Sequence, residues 1–166
     1  MKERSDNDSE LERFKEAQDR PGSGFDCALR EIRAGAKQSH WIWYVFPQLS
    51  GLGASSVSRT YGIHDLAEAE KYLRDATLRS RLLAITTAVA EQLSRGASLE
   101  TLMGSSTDAL KLVSSLTLFG HAAKLLHAAD GLAAYGTLAR LAADVLNAAA
   151  VQGYGPCQYT IGRLVP

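Results

Sequence analysis

Cysteine is scarce in this 166-residue chain: only Cys27 and Cys157 occur, far apart and with no second thiol or histidine close to either. That excludes the Cys/His quartet of a structural zinc site and the disulfide framework of a small secreted domain, and leaves two reduced, buried thiols. An excess of charge of either sign is also missing, because 18 basic residues balance 18 acidic ones. No bulk field draws the chain to nucleic acid or to an anionic membrane, and its Lys and Arg are scattered rather than gathered into a basic stripe. Long apolar runs are absent as well. Trp41 to Leu49 is interrupted by Pro47, and Leu132 to Val151 by Arg140, Asp144 and Asn147, so neither reaches the roughly 18 uninterrupted residues of a spanning helix. The opening MKERSDNDSELERFKEAQDR has no apolar h-region, which excludes a secretory signal there; a cytoplasmic location is expected, with neither nucleic acid nor membrane as partner. The hydrolase elbow Gly-x-Ser-x-Gly, the zincin His-Glu-x-x-His and the redox Cys-x-x-Cys do not occur, and there is no internal repeat.

What is present describes one ordinary folded domain. Hydrophobic residues make up 46% and charged residues 22%, far from the signature of disorder. Residues 1 to 8 read as a tail, and 9 to 166 as a single helical domain. From Ser9, the apolar Leu11, Phe14 and Ala17 recur at helical spacing, and Ser9 with Glu12 has the form of a capping box. Phe25, Leu29 and Ile32 predict a second helix that stops at Gly35, in the left-handed position. Asp65 with Glu68 opens another, and Leu78, Leu82, Ile85, Val89 and Leu93 form a long stripe ended by Gly96. Ser98 to Met103 reads as a short helix, and Asp108 as the cap of the next. In the Ala- and Leu-rich stretch Leu125 to Val151, Gly131 and Gly136 are breakers and Thr137 to Ala150 is the firmest helix. The Gly/Ser-rich stretch Ser50 to Tyr61 predicts an irregular loop, and Gly153 to Pro166 an extended tail packed through Tyr159, Ile161 and Leu164. The fold class is all-α, a single compact domain of about six or seven helices counted from these stripes and caps.

Three constellations carry chemistry. In a chain with only 7% aromatic residues, two tryptophans, a tyrosine, a phenylalanine and an imidazole crowd into His40 to Phe46. Such a cluster either walls a pocket for a planar ring, with His40 as an acid or base, or anchors the core. The segment Ser39 to Gln48 is apolar on every face; helix is favoured over strand, with Ser39 as its cap. Gly51-Leu-Gly53-Ala-Ser-Ser56 lacks the third glycine of a dinucleotide-binding loop and the lysine of a phosphate loop, which leaves an anion nest of backbone N–H groups and serine hydroxyls, or a plain loop. Asp108, Lys111, Ser114 and Ser115 share a helical face, as a Ser/Lys nucleophile and base or as a cap with a surface ion pair.

Taken in order, Ser39-His-Trp-Ile-Trp-Tyr-Val-Phe-Pro-Gln48, Gly51-Leu-Gly53 with Ser55, Ser58, Tyr61 and Ile63, Glu68-Ala-x-x-Tyr-Leu73, and Asp108-x-x-Lys111 leading into Ser114-Ser-Leu-Thr-Leu-Phe119 resemble the bacterial family catalogued as domain of unknown function 1810 (DUF1810). The resemblance runs from about Leu11 to Phe119; the Ala-rich third from 120 to 166 departs from it. It implies a mainly helical fold and brings no established reaction. Members sometimes carry the label calpastatin, but nothing here resembles a disordered calpain-inhibitor repeat. The resemblance also implies one shared site, with His40, Asp108 and Lys111 as catalytic candidates and Trp41, Trp43, Gln48, Ser55, Ser58, Tyr61 and Ser115 as ligand-binding candidates. No metal ligands are assigned, and the cofactor is left open.

Two functions compete on this reading. One is a small-molecule binder, or a hydrolase or transferase, whose ligand joins a ring to a phosphate, as in a nucleotide, ADP-ribose or a sugar phosphate. The other is a non-catalytic helical module that presents the aromatics to a protein partner. Whether the chain is an enzyme, and its oligomeric state, are left open by the residues.

Overall fold

The computed structural model describes the backbone of residues 2–165 and the side chains of 9–165. Among the described residues there are ten helices and no strand: α1 (Lys2–Gln18), α2 (Phe25–Arg33), α3 (Ile42–Val45), α4 (Ser56–Tyr61), α5 (Leu66–Arg74), α6 (Ala76–Ser94), α7 (Leu99–Met103), α8 (Ser106–Asp130), α9 (Ala133–Val151) and α10 (Gln158–Leu164). The all-α expectation holds, but ten helices replace six or seven. The excess comes from one- and two-turn helices, which are too short to write an apolar stripe into the sequence.

Several local signals work as expected. Asp65 accepts the Glu68 N–H at 2.9 Å and opens α5, Ser98 caps α7, and Gly35 follows α2 at φ +95°. Others are corrected. Helix α1 begins at Lys2, ahead of the Ser9 capping box, and of the residues before Ser9 only Lys2, Glu3 and Arg4 are strong helix formers; the expected tail over 1–8 falls on residues whose side chains lie outside the described set. Ser39 to Gln48 is helical only over α3: Pro47 drives Phe46 out of the helical region, to φ −121° and ψ 73°. Beyond it the chain extends, and Leu49 forms an isolated parallel bridge with Ile63. The expected loop Ser50 to Tyr61 contains α4, which Ser55 caps by accepting the Ser58 N–H. Helix α8 is capped by Ser105 rather than Asp108. Gly136 breaks nothing: it lies inside α9, against the ring of His127. The C-terminal stretch coils into α10 instead of staying extended.

Helix α8 runs through the body and packs against α5, α7, α9 and α10. Its Leu112, Leu116, Phe119, Ala123 and Leu126 are buried, each large side chain contributing about 1.5–3 kcal/mol. Small residues bring α9 close: a Cβ on Gly120 would stand 3.0 Å from the Ala142 methyl, so the alanine-rich third is a close-packing surface for α8. On the other side of α8, Tyr72 lies between Phe119, tilted at 4.8 Å, and Phe14, edge-on at 5.3 Å between centroids. The Gln18 amide nitrogen donates to the Tyr72 hydroxyl and to the Tyr44 carbonyl, so this aromatic core carries its own hydrogen bonds.

The tryptophan-bearing segment is fixed by one carboxylate. Glu31, on α2, accepts from the Gln38 N–H at 2.8 Å, the Ser39 N–H at 3.1 Å, the Ser39 hydroxyl at 2.5 Å and the Trp41 indole N–H at 2.7 Å. Burial opposes its ionisation, but these four donors outweigh burial and hold the carboxyl at about 2. A carboxyl depressed below its ordinary value adds stability that is complete above about pH 4.5 and is lost as the pH falls toward 2. Acid titration of unfolding should therefore show Glu31→Gln less stable than the wild type at pH 7, with a shallower decline between pH 4.5 and 2; parallel declines would remove Glu31 as the anchor.

Candidate functional site

Freed from capping by Ser105, Asp108 turns its carboxylate toward two ammonium groups. Lys37 lies 2.8 Å from Oδ2 and Lys111 3.2 Å from Oδ1. Lys37 also donates to the Ser39 carbonyl and sits 5.1 Å from the Trp41 ring, while Lys111 stands 3.7 Å over the centre of Trp43. Burial works against ionised Asp108, yet the hydrogen bond and charge of Lys37, then those of Lys111, keep its carboxyl below the ordinary range. Two cations share one carboxylate, so the cluster has one positive charge to spare.

Lys111 opens onto a cavity of about 340 Å³ between the loop after α3, the first turns of α8 and the segment before α10. Gln48, Leu52, Leu110, Lys111, Ser114 and Cys157 are among its walls. Gln48 is 8% exposed, and its side-chain amide has no partner among the described residues. Its backbone is held by the Ile63 N–H, which donates to the Gln48 carbonyl at 2.9 Å. The C-terminal wall is latched by Tyr159 of α10, whose hydroxyl donates to the Ser50 carbonyl at 2.7 Å and lies where a side chain on Gly51 would be. Gly53 is needed for a second close approach, since a Cβ there would come within 2.8 Å of the Ser58 Cβ.

Cys157 is the least expected member of this site. The Ser114 hydroxyl donates to its Sγ at 3.2 Å and the Thr160 hydroxyl at 3.3 Å. Burial raises the thiol, but these hydroxyls and the Thr160 and Tyr159 N–H groups outweigh it and hold the thiol below its ordinary value.

The candidate residues are thus divided. Gln48 and Lys111 line the cavity, and Asp108 and Trp43 reach it only through their contacts with Lys111. His40 and Tyr61 line a different hollow of about 460 Å³ with Arg20, Ser23, Tyr44 and Ser56, which has no lining residue in common with the first. Trp41 is wholly buried, its N–H occupied by Glu31. The Ser55 and Ser58 hydroxyls serve α4: Ser55 Oγ accepts the Ser58 N–H, and Ser58 Oγ donates to the Ser55 carbonyl. Ser115 is buried with no partner for its hydroxyl. Lys37 and Cys157 were not legible as site members: Lys37 sits in an unpatterned linker, and the only signal for Cys157 is its place after the Gly155-Pro156 break. Among the described residues no group of His, Cys, Asp and Glu could hold a metal ion, and no helix is long and apolar enough to cross a membrane.

The protein-family model described as "Protein of unknown function (DUF1810)" matches residues 8–136. Among solved structures, the conserved hypothetical protein Rv1873 from Mycobacterium tuberculosis is similar, with 36% identity over 92% of this chain and 94% of that one and a TM-score of 0.71. A search of curated proteins finds no match. The similarity to Rv1873 covers most of the chain, so the divergent third belongs to the same fold.

Asp108→Asn should destabilise the protein by about 1–3 kcal/mol or more, because Lys37, with a side chain only 7% exposed, loses its counter-ion. Lys111→Ala, removing the more accessible cation, should cost less than about 1 kcal/mol. Urea unfolding compares the two, and equal losses would contradict the central role of the Lys37 pair.

Proposed function

We propose that this chain, which belongs to the DUF1810 family of proteins of unknown function, binds a compact organic anion in the cavity beside Lys111. The observation that carries this reading is the Gln48 side chain, nearly buried yet unpartnered at the wall of that cavity. The amide atoms keep access to the cavity, since the sealed, unpartnered side-chain oxygens among the described residues are those of Thr86 and Ser115, so a ligand there can take both its donor and its acceptor. The size also fits, since small-molecule sites run from about 300 to 1,000 Å³.

Each wall has a part in this reading. Lys111, with the spare charge of its cluster, meets the anionic group; Gln48 meets a hydroxyl or carbonyl; Leu52, Leu110 and Val113 cover the apolar body of the ligand. Asp108 sets the position of Lys111 rather than moving a proton. Because Lys111 already covers one face of Trp43, ring stacking there is secondary, and the tryptophan acts chiefly as a platform for the ammonium. Sugar phosphates and nucleoside monophosphates suit this volume better than an extended ADP-ribose. His40, in the other hollow, has no part.

Melting temperatures of the wild type, Lys111→Ala and Gln48→Leu should be compared against a panel of sugar phosphates, nucleotides and ADP-ribose. A ligand at 100 times its dissociation constant stabilises by about 2.7 kcal/mol. The shift is expected in the wild type, lost in Lys111→Ala and reduced in Gln48→Leu. A shift that survives in Lys111→Ala, or none with any anion, would overturn the assignment.

A further inference from the structure

We infer that Cys157 is a reactive thiol that undergoes exchange with small, negatively charged disulfides entering the cavity beside Lys111. This rests on the anion-binding reading of the same cavity and adds a covalent partner to it. Four features place the chemistry at Cys157. Its sulfur receives hydrogen bonds from two hydroxyls on different helices, Ser114 of α8 and Thr160 of α10, and such donors favour the thiolate over the thiol. It is partly exposed and lines the cavity, so a second sulfur can reach it. Lys111 lines the same cavity and supplies the attraction for an anionic group. The Gln48 side chain on that wall, 8% exposed as a residue and without a hydrogen-bond partner among the described residues, is a separate sign that the space accommodates a ligand.

Cys27 provides the internal contrast. It is 8% exposed, donates to the Glu31 carboxylate at 3.4 Å and lines no cavity described above. The lining residues also choose between reactions of a thiolate. None is a histidine or a carboxylate, so nothing in the wall would activate the water needed to release an acyl group from sulfur. Disulfide exchange needs no such base. The Cys157 thiolate attacks one sulfur of the incoming disulfide, a new bond forms between the two sulfurs, and the original S–S bond breaks. The leaving sulfur carries off the electron pair as a thiolate and takes a proton from solvent, while a second small thiol reverses the step. The small disulfide is itself the oxidant, and no other redox partner is required.

Two chromogenic disulfides test this on the full chain: the dianionic 5,5′-dithiobis(2-nitrobenzoate) and the neutral 4,4′-dithiodipyridine. Peptide mass mapping locates the adduct, so Cys27 can stay in place. In the folded wild type, Cys157 should be modified first, and faster by the dianionic reagent than it is in the urea-unfolded chain. Lys111→Ala should slow the dianionic reagent by about tenfold and leave the neutral one within twofold. Slower reaction of folded than of unfolded Cys157 with both reagents, modification of Cys27 first, or equal slowing of both reagents in Lys111→Ala would each overturn the inference. Melting shifts of Cys157→Ser with the anion panel then separate the two readings: shifts that persist would leave the anion site standing without its thiol chemistry, and shifts absent from both this variant and the wild type would remove the site itself.

Discussion

A lysine buried in a protein needs a counter-ion close by, and for Lys37 that counter-ion is Asp108. The pairing joins the linker after α2 to the first turn of α8, two stretches far apart in sequence. Because the second carboxylate oxygen reaches Lys111, the same residue also sets the cation that stands over Trp43. Lys37, with a side chain only 7% exposed, needs this partner more than it would at the surface, since burial makes an unpaired charge far more costly than the pair. The geometry of the cavity wall follows from that one carboxylate.

Around this anchor the fold divides its labour. Glu31 gathers four donors and fixes Gln38 to Trp41 from one side. Tyr159 reaches back to Ser50 and pins the Gly-rich loop from the other. The segment between them has one turn of helix and an isolated bridge for its own backbone, so its shape is held mainly by side chains from α2, α8 and α10. The site is accordingly assembled from three regions of the chain, and the alanine-rich C-terminal third is part of it. Close packing of α9 on α8 leads the chain back, so that Gly155, Pro156 and Cys157 line the same cavity as Lys111.

Much of the helical scaffold was legible because its causes are local. Asp65 and Ser98 cap through hydrogen bonds within three residues, Gly35 ends α2 through its own φ, and the Leu78 to Leu93 stripe needs only the helical repeat. Of the short helices, α7 was legible through its Ser98 cap, whereas α4 and α10 were not, because six or seven residues carry too little periodicity. Asp108 was read as a cap when Ser105 holds that place, and the two readings differ only in which oxygen meets which N–H. Part of the candidate site was named together through the family resemblance, and the structure puts Gln48 and Lys111 on one cavity wall with Asp108 and Trp43 against Lys111. His40 was named too, but the turn at α3 sends it to the other hollow.

By itself, the sequence determined that the chain is helical, that it forms one family-like unit with no bulk charge for nucleic acid, and that its unusual polar residues cluster in two segments. These properties depend on composition, spacing and caps, which are the same in any tertiary arrangement. Only the tertiary structure decided that Trp41 is sealed against Glu31 while Trp43 carries Lys111, that Lys37 completes the Asp108 cluster, and that Cys157 meets Ser114 at a separation of 43 positions along the chain. Long-range contacts of this kind follow from how α8, α9 and α10 pack, and packing depends on the fit of whole surfaces, which no local pattern in the sequence encodes.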